Sequence, residues 1–396
     1  MMTDLPETLD VFLVAGEASG DRLGAALIRA LRQRSGGRVR FAGVGGPEMA
    51  AEGIVSLYPI DVLSIIGFSA VPRRLPKILR LMRSTARTVV ARRPHVLVVI
   101  DSPSFTLGVA RRVRAADPSI AIVEYVSPSV WAWRPGRARA IRGYVDHILA
   151  LLPFEPEVHR RLGGPPCSYV GHPLAAEVKN LRPNPEEARR RLAAPPMLLV
   201  LPGSRRGEIS RLLGIFGDAV ALVRERVGPL EIVLPTVPHL FDSVRDATAS
   251  WPQRPRLVVD TADKQAAFRV ARAALAKSGT VTLELALAGI PMITAYKVSA
   301  IEYHAVGRAI AKRIPSIILA NLLLGENVVP ELLQHRCTAD ALAAALIPLL
   351  GDTEERRRQV EAFARLDAIM EIASAAPAAR AADVVLEVVR RRQPSR

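Results

Sequence analysis

Short apolar runs rich in β-branched residues alternate with longer segments in which apolar positions recur at helical spacing, along almost the whole chain. In the first half, Val11–Val14, Val39–Val44, Val96–Ile100, Ile120–Tyr125 and Ile148–Leu151 predict strands. In the second half, Met197–Leu201, Glu231–Leu234, Arg256–Val259, Ala273–Ala276 and Met292–Ala295 do the same. Arg22–Arg34, Glu208–Arg226 and Ala300–Arg313 predict helices between them. Near-continuous apolar strands separated by amphipathic helices belong to parallel sheets covered on both faces. The break between halves falls at Lys179–Pro196, where Pro183, Asn184, Pro185, Pro195 and Pro196 surround the charged helix Glu186–Leu192. The expected fold is therefore α/β, with two doubly wound, Rossmann-like domains at 1–180 and 181–350. C-terminal helices and a frayed tail should fill 351–396, with Ala378–Arg392 helical. In such sheets the functional residues gather at the carboxyl ends of the strands, here in a cleft between the domains.

Composition narrows the class. The 396 residues are 49% hydrophobic and 23% charged, which describes a globular protein with ample core. Cys167 and Cys337 fit no CxxC or metal spacing, so a reduced, cytoplasmic setting without structural zinc is expected. The acidic MMTDLPETLD start lacks the basic region of a signal peptide. No apolar run approaches the ~18 residues of a spanning helix. The net charge of +16 raises nucleic acid as a partner, but aromatics are only 5% and no RNA-binding signature or zinc finger occurs. A narrower source of the charge is residues 73–93, where Arg73, Lys77, Arg80 and Arg87 fall near one helical face and Ile78, Leu81, Met82 and Val89 lie elsewhere. An apolar loop, Leu63–Phe68, precedes it. The pair reads either as an anionic-membrane contact or as a crossover helix with a solvated basic side.

The chemistry-bearing motifs are nearly all at strand ends. In KSGTVTLELALAGIP (Lys277–Pro291) a small-residue strand runs into Ser278, Gly279 and Thr280, and a helix opens with Glu284 about one turn in. Such a turn, with free N–H groups and hydroxyls, suits a diphosphate, and the carboxylate is placed to grip a ribose diol. LPGSRRGEI (Leu201–Ile209) is built the same way, with Ser204 in the turn and Arg205 and Arg206 placed to neutralise a leaving diphosphate. Positive side chains at a helix start oppose its dipole unless an anion is present. Two phosphate-type loops in one half point to a nucleotide-sugar enzyme. GEASGDRLGA (Gly16–Ala25) lacks the dinucleotide fingerprint and reads as a tight turn capped by Ser19 or Asp21, with Gly20 and Gly24 for close packing. Asp101 ends its strand as either a general base or a helix cap. SPSVWAWRPGR (Ser127–Arg137) sets Trp131 and Trp133 beside Arg134, fit for an amphipathic phosphorylated ligand or for closing a sheet edge. His172 in VGHPL reads as a capping or packing residue.

Taken in order, GEASGDRLGA, SPSVWAWRPGR, VGHPL, LPGSRRGEI, KSGTVTLELALAGIPM, YKVS (Tyr296–Ser299) and NLLLGENVVPELLQ (Asn321–Gln334) resemble the lipid-A-disaccharide synthase family from about Val11 to Gln334. The resemblance implies a glycosyltransferase-B fold and inverting transfer from UDP-2,3-diacylglucosamine to 2,3-diacylglucosamine 1-phosphate (lipid X), without metal or other cofactor. It implies Asp101 as the base for the acceptor's 6-hydroxyl. It places Ser204, Arg205, Arg206, Ser278, Gly279, Thr280, Glu284, Asn321, Glu326 and Asn327 at the UDP-sugar. Ser19, Ile65, Ile66, Phe68, Arg73, Trp131, Trp133 and Arg134 fall on the acceptor and membrane side. The chain departs from the family's usual pattern at Ser104 and Ala70, where acids are common. The implied location is the inner face of the inner membrane, bound peripherally to an anionic surface, with oligomeric state open, a homodimer included. Two other readings remain: a UDP-sugar 2-epimerase on the same fold, and a basic nucleic-acid binder that leaves the paired phosphate loops without a role.

Overall fold

Residues 6–64, 71–298, 314–374 and 376–392 are described by a computed structural model. The chain divides into two units, Met1–Ala175 with Ala373–Arg396, and Ala176–Ile372. In the first unit, strands β1 (Leu9–Ala15), β2 (Val39–Val44), β3 (Val96–Ile100), β4 (Ala121–Tyr125), β5 (His147–Ala150) and β6 (Cys167–Tyr169) form one parallel sheet in the order β2-β1-β3-β4-β5-β6. Alternate residues serve opposite cores. Leu13, Val96, Val98 and Val123 pack with the helix Ala18–Arg34, while Phe12, Val14, Leu97 and Val99 pack with the helices Val71–Arg92 and Pro103–Ala116. Because both faces are buried, most positions in these strands are apolar, which is why the runs are nearly continuous.

The second unit repeats the plan. Strands β7 (Met197–Leu201), β8 (Glu231–Pro235), β9 (Arg256–Val258), β10 (Ala273–Lys277), β11 (Met292–Tyr296) and β12 (Glu331–Leu333) lie parallel in the order β12-β11-β10-β7-β8-β9. Helices Arg206–Val227 and Ala339–Leu350 cover one face through Leu212, Phe216, Leu342 and Leu346. β6 and β12 have no counterpart among the predicted strands. Each is three residues long, at a sheet edge, and the sequences Cys-Ser-Tyr and Glu-Leu-Leu carry no apolar run.

Two further expectations are corrected. Residues 351–396 are not a separate piece: helices Glu354–Ala364 and Leu366–Ile369 belong to the second unit, and Pro377–Arg392 to the first. The reason is complementary packing, since buried Ala381, Ala382, Val385 and Leu386 share a core with Leu27, Ile28 and Leu31 of helix Ala18–Arg34. Neither Ser19 nor Asp21 caps that helix, whose N-cap is Glu17. Asp21 instead takes the backbone N–H groups of Gly46, Glu48 and Met49 at 2.7, 2.9 and 3.1 Å, closing the start of the short helix Pro47–Ala51. Gly20 and Gly24 do serve close approach, since a Cβ at Gly24 would lie 2.5 Å from the sulfur of Met49. The predicted helix at Ala300–Arg313, and Ile65, Ile66, Phe68 and Ala70, lie outside the described residues.

Several arginines work inside the second unit. Arg191 is 9% exposed and donates to the carbonyls of Phe268, Arg269, Ala288 and Gly289, closing the ends of helices Thr261–Val270 and Val281–Leu287. Arg356 does the same for the carbonyls of Arg272 and Leu349. Burial pulls the guanidinium pKa of both down to about 10, so they stay charged at neutral pH.

Because helix Pro377–Arg392 completes a core built mainly from the N-terminal segment, Leu386→Ala should destabilise the first unit by about 2–5 kcal/mol. Denaturant unfolding followed by a probe in that unit checks this, and an unchanged midpoint would mean the helix is only loosely attached.

Candidate active site

Strand order reverses once in each sheet. In the first it reverses between β1 and β3, and in the second between β7 and β10. The loops leaving such a pair turn to opposite faces, so the carboxyl end between them is left open.

At the first of these points stands Asp101, directly after β3. Asp101 and Ser102 both take left-handed backbone conformations, at φ 55° and 47°. Successive left-handed residues other than glycine are costly, and such strain concentrates at functional positions. The carboxylate accepts from the Ser19 hydroxyl at 2.9 Å and from the Ser102 N–H at 2.6 Å, while the Asp101 carbonyl takes the Thr106 hydroxyl at 2.6 Å. Gly16, directly after β1, is required here because a Cβ would lie 2.2 Å from Cβ of Ser102. Asp101 is therefore no cap for its helix: Ser102 is the N-cap residue and makes no side-chain cap bond. Ser104 is exposed on the first turn.

The neighbouring strand end carries acids absent from the sequence reading. Glu124 on β4 is 1% exposed, and its Oε2 has no hydrogen-bond partner. Burial raises its pKa well above the ordinary range, partly opposed by Arg137 and reinforced by Asp101 and Glu155. Glu155, 3% exposed, accepts from the Leu152 N–H at 3.0 Å and the Trp131 indole at 3.3 Å, and burial lifts it to about 7. Trp131 thus packs inward, edge-on to Phe154 at 5.6 Å between ring centres. Trp133 is stacked by the exposed Arg134 at 5.3 Å. Between these acids Val126 holds φ 80°, a strained value for a β-branched residue. His172 is buried, accepts the Leu174 N–H at 3.2 Å and is pulled to about 4 by burial, which makes it a neutral cap.

The second reversal point joins the two phosphate-type loops. Ser204, Arg205, Arg206 and Thr280 are exposed, and Gly279 is half-buried. Ser278 is 5% exposed, with its hydroxyl turned to the Ala295 carbonyl at 3.4 Å, so its side chain braces β11. Glu284 is ion-paired to Lys264 at 2.6 Å. Asn321 is buried, donating to the Val329 carbonyl and Glu331 and accepting from Val328 and Val329 N–H at 3.0 and 2.8 Å. That full set makes it the brace of the 325–329 turn. Glu326 is bound by Arg365 and, at 3.5 Å, by Arg358, an engagement with the unit's own C-terminal helices. Asn327 is exposed on the same turn. Glu208, unassigned by the sequence, accepts from the Ser204 and Arg205 N–H groups at 3.1 and 3.3 Å and pairs with Lys277 at 3.0 Å. Its position three residues after Arg205 is a capping-box spacing and could have been found; Lys277 could not without the pairing of β7 and β10.

Solved structures share this architecture. MurG of Acinetobacter baumannii is similar at a TM-score of 0.56 and 15% identity, over 97% of this chain and 99% of that one. A UDP-GlcNAc 2-epimerase from Neisseria meningitidis, bound to UDP-GlcNAc, is similar at 0.61 and 12%, over 96% and 99%. At these identities the likeness is one of fold. Two parallel sheets, each with its loops gathered at a strand-order reversal, define the glycosyltransferase-B class. Within it, a sequence model of the lipid-A-disaccharide synthetase family matches residues 11–384. Lipid-A-disaccharide synthases of Rhodopseudomonas palustris and Bradyrhizobium diazoefficiens are 61% and 59% identical, over 95% and 96% of this chain and 94% and 97% of theirs. One from Rhodospirillum centenum is 41% identical over 96% and 95%. The chain belongs to this family, and is a glycosyltransferase of lipid A disaccharide synthesis.

The buried Glu124 gives a signed pH prediction. A carboxyl whose folded pKa is raised contributes stability below its unfolded value, near 4.5, and that contribution is lost as pH rises toward the folded value. Glu124→Gln keeps the neutral shape, so its melting temperature should match the parent at pH 4 and exceed it increasingly above pH 6. A parent more stable than the variant at pH 8 would mean that a charged Glu124 is needed.

Proposed function

We propose that this chain transfers the diacylglucosamine group of UDP-2,3-diacylglucosamine to the 6-hydroxyl of 2,3-diacylglucosamine 1-phosphate, releasing UDP and the β-1,6-linked disaccharide 1-phosphate. The observation that carries the reading is the presentation of Asp101, lifted off β3 by two left-handed residues and fixed by Ser19 and the Ser102 amide. Each oxygen keeps acceptor capacity beyond those bonds. Asp101 accepts the hydroxyl proton as the acceptor oxygen bonds to C1 of the donor sugar. The bond from C1 to the phosphate oxygen breaks, and UDP leaves with the electron pair. Attack opposite the leaving group inverts C1. The exposed Arg205 and Arg206, with the 203–206 and 278–280 turns, receive the diphosphate charge. Glu284, oriented by Lys264, accepts from the ribose hydroxyls.

Both substrates carry acyl chains, so the enzyme works at a bilayer surface. No helix among the described residues is long and apolar enough to cross one. On helix Val71–Arg92, Lys77, Arg80 and Arg87 are exposed while Ile78, Met82 and Val89 are buried, a basic face that supports peripheral attachment to anionic lipid.

Purified protein given both substrates should yield disaccharide and UDP by mass spectrometry. Asp101→Asn tolerates the left-handed backbone and should cut turnover by about 10²–10⁴ while UDP affinity holds. Equal loss of UDP binding would make Asp101 structural. Reversing Lys77, Arg80 and Arg87 to Glu should weaken binding to anionic vesicles by about 100-fold or more. Undiminished flotation with those vesicles would remove this face from membrane attachment.

A further inference from the structure

The seat assigned to the donor's diphosphate already holds an anion from the protein. Glu208 reaches back one turn and places Oε2 on the Ser204 and Arg205 N–H groups, the donors a diphosphate would use. The loop is shaped around that carboxylate. Gly203 sits at φ 119°, and a Cβ there would lie 2.4 Å from Oε2 of Glu208. The other oxygen pairs with Lys277 at 3.0 Å, and both side chains are only 15% exposed. Lys277 ends β10, the strand beside β7, and its ammonium lies 5.3 Å from the centre of the Tyr296 ring on β11. A Cβ on Gly279, in the second phosphate-type turn, would lie 3.4 Å from the Lys277 ammonium. One ion pair therefore links the two glycine turns across the strand-order reversal.

A half-buried carboxylate in that position repels an arriving diphosphate unless it is neutralised, because like charges interact strongly where water is largely excluded. Among the described residues, Lys277 is the cation nearest Glu208, with Arg205 at 3.6 Å reaching it from an exposed position. We propose that Lys277 is a positioning residue for the donor: by neutralising Glu208 it converts a seat occupied by the protein's own carboxylate into one that admits the diphosphate of a UDP-sugar. This rests on the donor site proposed above. Its signature is specific, since the effect concerns the charged part of the ligand and not the nucleoside.

The test is calorimetric titration of UDP, with uridine followed by NMR, into the full chain and three variants. Lys277→Met should weaken UDP about tenfold or more and leave uridine unchanged, because Glu208 is left uncompensated. Lys277→Met with Glu208→Gln should recover most of that loss. Glu208→Gln alone should tighten UDP, and it remains informative if Lys277→Met fails to fold. Parental UDP affinity in Lys277→Met, equal weakening of uridine, or a double variant as weak as the single would each overturn the proposal. A parent chain that binds no UDP would instead overturn the donor site itself.

Discussion

A parallel sheet buried on both faces leaves polar chemistry almost nowhere to go except the ends of its strands. Val96–Ile100 and Met197–Leu201 are fully buried along their whole length, so no side chain within them can meet a ligand. At most carboxyl ends the connecting loops fold over the neighbouring strand. Only where strand order reverses do adjacent loops part, and the two reversals hold Ser19 with Asp101, and the 203–206 with the 278–280 turns. The site residues are thus placed by topology before any of them is chosen by chemistry. The accompanying strain also follows: a strand that must stay regular to its last buried residue has to turn abruptly, and left-handed Asp101, Ser102 and Val126 make those turns.

Charge in this protein has more than one employer. The +16 balance invites a single explanation, yet the arginines divide by burial. Arg191, Arg272 and Arg356 are buried and hold helix and loop carbonyls of the second unit, where a planar fork of donors suits several acceptors at once. Lys77, Arg80 and Arg87 lie exposed along one face of a first-unit helix. Arg205 and Arg206 stand exposed at a helix start, where the dipole disfavours them. The sequence reading called for an anion there, and the structure supplies one internally in Glu208.

What the sequence revealed was whatever depended on local pattern. Ten of the strands follow from short, near-continuous apolar runs, and Asp101 follows from being the first polar residue after one of them. The charged helix expected at Glu186–Leu192 is present as Pro185–Leu192. Whatever depended on tertiary neighbours was hidden. β6 and β12 exist because an edge partner is available, not because their residues favour strands. By family pattern Asn321 falls near the donor, and the bonds its amide makes to the backbone of its own turn show only in the fold. Trp131 reads as either ligand surface or sheet-edge packing, and the partner its indole takes, Glu155, lies twenty-four residues away in sequence.

The return of helix Pro377–Arg392 to the first unit has a consequence for biosynthesis. As the chain leaves the ribosome, the first unit already has all six strands by Tyr169 but lacks the helix that seals Leu27, Ile28 and Leu31. The second unit is contiguous in sequence and needs nothing made later. The usual order, in which the N-terminal domain finishes first, is therefore inverted. The N-terminal unit must wait with an exposed apolar face until residues 377–392 emerge, so any product truncated before them carries that face uncovered.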